Sequence, residues 1–362
     1  MSSSRSPRLV YLDWLRGLAV VIMILWHSTD AWTALAVRQG ALFGVLVFLG
    51  GWAAPLFLFL AGVSLPLAGA SQMARGVSRP VAGWALQKRG WQIFGLAHLF
   101  RLQSFLLNPL ASWSSLLKPD ILNILGLGIV VVAFCWARGA TRLRQVAWLL
   151  GPAALIILIT PSSREWWWPA LVRPYAPRLE GYLRPVSGLG GFSLLPWAGF
   201  VFAGAFIGSA IADARAAEAD APFYARIASA GLAIGLAGAV GMYLPSLTAS
   251  SFWTTSLSFF LMRIGTMTLG LALAWLWMRR PTGGRWSPMT VFGRTSLFVY
   301  WVHVELAYGF ASYPLHNALP LPWALVGFGI LTVVMLGIAT LWLRRRRPLV
   351  PEYLHADPPS TR

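Results

Sequence analysis

Arg8-Leu-Val-Tyr-Leu-Asp-Trp-Leu-Arg-Gly-Leu-Ala-Val-Val-Ile-Met-Ile-Leu-Trp-His27 stands near the start of the chain, and between Leu9 and Trp26 only Asp13 and Arg16 are charged. A run of about twenty mostly apolar residues is what a helix needs to cross the hydrocarbon core of a bilayer. The stretch therefore reads as a membrane-spanning helix that carries ionisable groups in its interior.

Similar runs follow near 41–68, 81–107, 121–137, 146–160, 189–212, 224–245, 254–278, 290–311 and 322–343. The expected fold is all-α: a polytopic transmembrane helix bundle of about ten spans, with residues 1–347 as a single transmembrane domain. The polar tail 348–362 has no apolar periodicity and is expected to be a disordered cytoplasmic tail.

Composition agrees. Of 362 residues, 57% are apolar and 11% charged, against roughly half and about a quarter in soluble domains. The net charge of +18 comes from residues that punctuate the gaps between apolar runs. It therefore reads as a topology signal facing anionic lipid, not as a nucleic-acid surface. Cys135 is the only cysteine, which excludes an internal disulfide and a thiolate metal cluster.

Basic residues recur in every second gap: Arg5 and Arg8, Arg75 and Arg79, Arg138 to Arg144, Arg215, Arg279 to Arg285, and Arg344 to Arg347. That alternation predicts a multi-pass protein of the plasma (inner) membrane with both termini cytoplasmic. The long gap 161–188 departs from it, with Arg164, Arg173, Arg178 and Arg184 partly balanced by Glu165 and Glu180. The twenty tryptophans suit interface anchoring. Gly231, Gly235, Gly238 and Gly241 in the seventh run suit close helix approach.

Ionisable groups inside spans are costly and face a partner or a cavity, so they locate function. Asp13, Arg16 and His27 lie three and eleven positions apart. Eleven residues return almost to the same azimuth after about 16 Å of rise, which puts all three on one stripe. Asp13 and Arg16 can pair one turn apart, a purely structural role. His27 lies near the outer end, with Asp30 placed to orient its imidazole.

By the same topology His98 and Arg101 fall in the outer half of the third span, and Asp120 and Asn123 open the fourth. Ser296, Tyr300 and His303 share a face of the ninth span. None of these spacings matches a metal-ligand motif. Together they predict a polar cavity opening outward. The loop Ser163-Arg-Glu-Trp-Trp-Trp-Pro169, followed by Tyr175 and Tyr182, reads equally as a sugar-binding surface or an interfacial aromatic belt.

The first span resembles the start of membrane-bound acyltransferases, namely the acyltransferase-3 family and the related heparan-α-glucosaminide N-acetyltransferase catalytic family. Arg16 to His27 matches the acyltransferase-3 spacing of an Arg, ten residues and a His. Ala54-Pro-Leu-Phe-Leu-Phe-Leu-Ala-Gly-Val-Ser64 and Asp120-Ile-Leu-Asn-Ile-Leu-Gly126 are similar to later segments of the N-acetyltransferase family. Leu195-Pro-Trp-Ala-Gly199 and the stretch from Gly293 to His303 are similar to its later helices. The lysosomal heparan branch has Asn where His27 stands, so the resemblance leaves the sugar unspecified.

The resemblance implies transfer of an acyl group, with acetyl the first choice, from cytoplasmic acyl-CoA to a hydroxyl or amine of an extracytoplasmic glycan. His27 would be general base, with Asp30 and His303 as further catalytic candidates; an acyl-histidine intermediate stays open. Arg16, Lys88 and Arg89 would guide the anionic donor, with Asp13, paired to Arg16, as a further substrate-binding candidate. His98, Arg101, Asp120, Asn123, Ser296 and Tyr300 would serve substrate. The expected partners are the lipid bilayer, acyl-CoA, a glycan and, as an open option, a second copy of the chain in a homodimer. The same buried groups would also suit a transporter or flippase.

Overall fold

The computed structural model describes residues 9–107, 112–165, 176–184, 191–244, 256–279 and 286–345. Trp166 to Trp168, Tyr175 and the tail 348–362 lie outside the described residues.

The first apolar run forms helix α1 (Val10–Trp32). Asp13 in its first turn suits the positive end of the helix dipole. Near its other end Ser28 and Thr29 turn their hydroxyls back onto the carbonyls of Ile24 and Leu25, at 2.8 and 2.7 Å. That bonding satisfies polar groups that would otherwise face hydrocarbon.

The remaining helices are α2 (Ala41–Gly50), α3 (Ala53–Met73), α4 (Arg79–Leu107), α5 (Ile121–Arg138), α6 (Arg142–Gln145), α7 (Gly151–Ile159) and α8 (Ala176–Leu183). They are followed by α9 (Leu194–Ala216), α10 (Asp220–Gly241), α11 (Leu257–Met278), α12 (Pro288–Arg294), α13 (Ser296–Tyr308) and α14 (Leu321–Arg345). No strand occurs among the described residues; one parallel bridge joins Thr33 to Leu319.

The fold is an all-α polytopic bundle, and eight of its helical segments are long and apolar enough to cross a membrane. Two regions expected to span fall outside those eight. Helix α4 has 29 residues but carries Lys88, Arg89 and Arg101. The ninth run divides at Thr295, whose hydroxyl bonds the carbonyl of Val291 at 2.8 Å. The second run also divides, with α2 ending at Gly50, which lies against the ring of Trp26, and α3 beginning at Ala53.

Helix α1 is the hub, in contact with α2, α3, α11, α12, α13 and α14. Its tightest neighbour is α12, where Gly17 meets the backbone of Met289 and Gly293 meets that of Asp13. A Cβ at either glycine would collide with backbone, which has no side chain to move aside. Gly231 and Gly238 of α10 likewise admit the backbone of α11, as their spacing suggests. At the far end of α1, Ala34 N–H donates to Leu319 O at 2.8 Å and Trp32 Nε1 donates to Ala307 O at 3.0 Å. Those bonds tie α1 to the end of α13 and the start of α14.

Candidate active site

A cavity of about 440 Å³ opens beside the His27 end of α1. Six helices wall it, with α2 contributing Gly50. Met23, Trp26 and His27 come from α1, Ala53, Ala54 and Phe57 from α3, and Phe100, Arg101 and Ser104 from α4. Ile121, Leu122 and Leu125 come from α5, and Ser296, Tyr300, Val304 and Tyr308 from α13. The walls are largely apolar, with a few converging polar groups, as small-molecule sites usually are.

His27 Nδ1 lies 2.9 Å from His303 Nε2. The ring centroids are 5.1 Å apart and the planes within 4°, so the two imidazoles lie end to end in one plane. His303 is fully buried, and its Nδ1 lies 2.7 Å from the carbonyl of Val299. A carbonyl can only accept, so His303 Nδ1 carries a proton and its neutral Nε2 is an acceptor. His27 Nδ1 must then donate, which leaves the lone pair on His27 Nε2. The backbone of α13 thus sets the tautomer of a residue on α1.

Asp30 does not hold His27, contrary to the sequence expectation. Its carboxylate accepts from the hydroxyl of Tyr308 at 2.7 Å and pairs with Arg38 at 3.6 Å. The nearest partner wins here: His303 comes from another helix and meets Nδ1 directly, whereas Asp30 lies a turn further on towards the rim. Asp30 reaches His27 only through Tyr308, whose ring packs edge-on against the imidazole at 5.4 Å.

Asp120 and Asn123 form a capping box at the start of α5, with Asp120 Oδ1 accepting from the N–H groups of Leu122 and Asn123 at 2.9 and 3.2 Å. Asp120 Oδ2 faces Arg101 Nε at 3.4 Å. Gly126 in the same segment lets α5 touch the backbone of α4 at Phe94 and Gly90. His98 sits behind this wall, its Nδ1 3.0 Å from Phe94 O and 3.4 Å from Asn123 Nδ2. Its Nε2 lies 3.5 Å from the hydroxyl of Tyr182 on α8.

His27, Arg101, Asp120, Ser296 and Tyr300 therefore line one cavity, and His303, His98 and Asn123 support its walls. Asp13, Arg16, Lys88 and Arg89 do not line it. Arg16 donates to Asp13 at 3.0 Å and to Ser64 of α3. Lys88 and Arg89 are exposed on α4, a dozen residues before Arg101, which is about 18 Å along a helix.

Lys118, Ser104 and Tyr308 line the cavity as well and were missed by sequence reasoning. Tyr308 was within reach, because Ser296, Tyr300, Val304 and Tyr308 recur every fourth residue.

The family model described as "Heparan-alpha-glucosaminide N-acetyltransferase, catalytic" matches residues 8–244. The chain belongs to this family. It is a membrane protein of an acetyltransferase kind, as the first-span resemblance implied. A second model, described as a protein of unknown function (DUF418), matches residues 214–348. A comparison with curated proteins returns no match. The acetyltransferase match covers α1 to α10, while the stripe on α13 falls in the second matched region.

Proposed function

We propose that this acetyltransferase-family protein moves an acetyl group from cytoplasmic acyl-CoA to a hydroxyl or amine of a glycan on the other side of the membrane, with His27 as general base. The observation that carries this reading is the chain Val299 carbonyl, His303, His27, which leaves a lone pair on His27 Nε2 at the cavity. Residues 1–347 act as one membrane unit, with both termini cytoplasmic and the cavity in the outer half of the plasma membrane.

In the reaction the acceptor O–H or N–H approaches His27 Nε2, which takes the proton as oxygen or nitrogen attacks the thioester carbonyl. The new C–O or C–N bond replaces the C–S bond, and the departing CoA thiolate recovers the proton from the His27 imidazolium. His303 holds the positive charge in place by accepting from His27 Nδ1. Tyr308 fixes the ring from its edge while bonded to Asp30. The neutral donors near the cavity, Ser296 and Tyr300, are suited to an acyl oxygen or a sugar hydroxyl.

Purified protein in lipid nanodiscs, given radiolabelled acetyl-CoA and a panel of glycans, tests the reading. Covalently labelled glycan that disappears in His27→Ala is the expected result. Undiminished labelling in that variant would remove His27 from the chemistry, and uptake of glycan into vesicles without labelling would replace the enzyme with a transporter.

A further inference from the structure

Among the described residues the cavity wall carries two cations, Arg101 and Lys118, against one carboxylate, Asp120. That carboxylate is already committed: one oxygen takes two backbone N–H groups and the other faces Arg101 Nε. The terminal nitrogens of Arg101 and the ammonium of Lys118 have no hydrogen bond or ion pair among the described residues beyond that single contact. The Arg101 side chain is 25% exposed and Lys118 is exposed, so both can meet a ligand entering the cavity.

Excess positive charge at the mouth of a cavity with low-dielectric walls focuses an attractive field on anions. An Arg fork beside a Lys point charge suits a carboxylate or a phosphate. We propose that Arg101 and Lys118 form a subsite for an oxyanion carried by the acceptor, holding it while a neighbouring hydroxyl or amine of the same molecule reaches His27. The proposal rests on the acetyltransferase reading.

An oxyanion could instead belong to the nucleotide end of the acyl donor. Both sources present the same anionic chemistry, and competition by a nucleotide bisphosphate separates them.

Equilibrium dialysis of the full-length protein in zwitterionic nanodiscs against labelled glucuronate, with labelled glucose as its uncharged counterpart, tests the subsite. Glucuronate should bind at least tenfold tighter at low salt, and the advantage should shrink as salt is added. Lys118→Ala, at an exposed site where folding is not at stake, should remove most of the advantage. Arg101→Lys should weaken it while keeping Asp120 paired. Equal binding of the two sugars, or glucuronate binding indifferent to Lys118→Ala, overturns the proposal.

Adenosine 3′,5′-bisphosphate distinguishes the sources. If it displaces glucuronate from the wild type but not from Lys118→Ala, the subsite belongs to the donor and the assignment to the acceptor falls. His27→Ala should retain the preference for glucuronate. A wild-type protein that shows that preference yet transfers no acetyl group would sink the catalytic reading and leave the subsite standing.

Discussion

The two ends of α1 carry similar residue types and behave differently. At one end Asp13 is 3% exposed, bonded to Arg16, and crossed so closely by α12 that Gly293 touches its backbone. At the other end His27 lies on the wall of an open cavity, with its partner His303 buried behind it. About 21 Å of helix separates the two along one stripe. The near end pairs its charges with each other, while at the far end only Nδ1 of the imidazole has a hydrogen-bond partner among the described residues. Cost alone does not mark function in a membrane helix; what marks it is a polar atom left without a protein partner beside a space.

The most severe way to sharpen this contrast is His27→Ala. Acetyl transfer should fall by about 10²- to 10⁴-fold, the usual contribution of a general base, while the melting temperature in nanodiscs stays unchanged. Loss of folding together with activity would mean that His27 is structural like Asp13, and the contrast would break.

Asp13→Ala probes the other end. It leaves Arg16 without its acid partner next to a close helix crossing and should cost on the order of 3 kcal/mol of stability, read as lowered melting temperature and yield. Turnover per folded molecule should change less than about twofold. A selective loss of turnover with normal stability would instead make Asp13 part of the reaction.

His303→Ala should reduce turnover by roughly ten- to a hundredfold, the scale seen when a supporting partner of an active imidazole is removed. His303→Gln, whose amide oxygen can accept from His27 Nδ1, should recover part of that loss. A merely space-filling His303 would be rescued as well by Leu as by Gln.

The smallest effect is expected from Tyr308→Phe, which keeps the ring against His27 but removes its bond to Asp30. Turnover should drop by about two- to fivefold, the scale of one hydrogen bond. No change would show that Asp30 has no reach into the site through Tyr308.

Much of this was legible in the sequence for a specific reason. Helical periodicity is fixed by the backbone, so the stripe on α1 and the face of α13 can be counted from residue numbers. The apolar runs follow from the thickness of hydrocarbon. What could not be counted is which stripe faces which. His27 and His303 are 276 positions apart, and nothing in either neighbourhood announces the other. Asp30 looked like the natural partner because it was near in sequence, whereas tertiary packing supplied a nearer one. The breaks after Gly50 and at Thr295 also escaped, since both interrupt runs that read as single apolar spans. Lys118 escaped because it lies in a connection, where periodicity has nothing to say.

The division of the cavity between the two matched regions bears on how such a chain can change. His27, the proposed base, stands in the first region, and His303, which meets its Nδ1, stands in the second. A graft or recombination that joins the first half of one relative to the second half of another would carry over the base and could still misassign its proton. The heritable unit of the chemistry is therefore the pair of segments, and neither can drift at this contact without the other registering it.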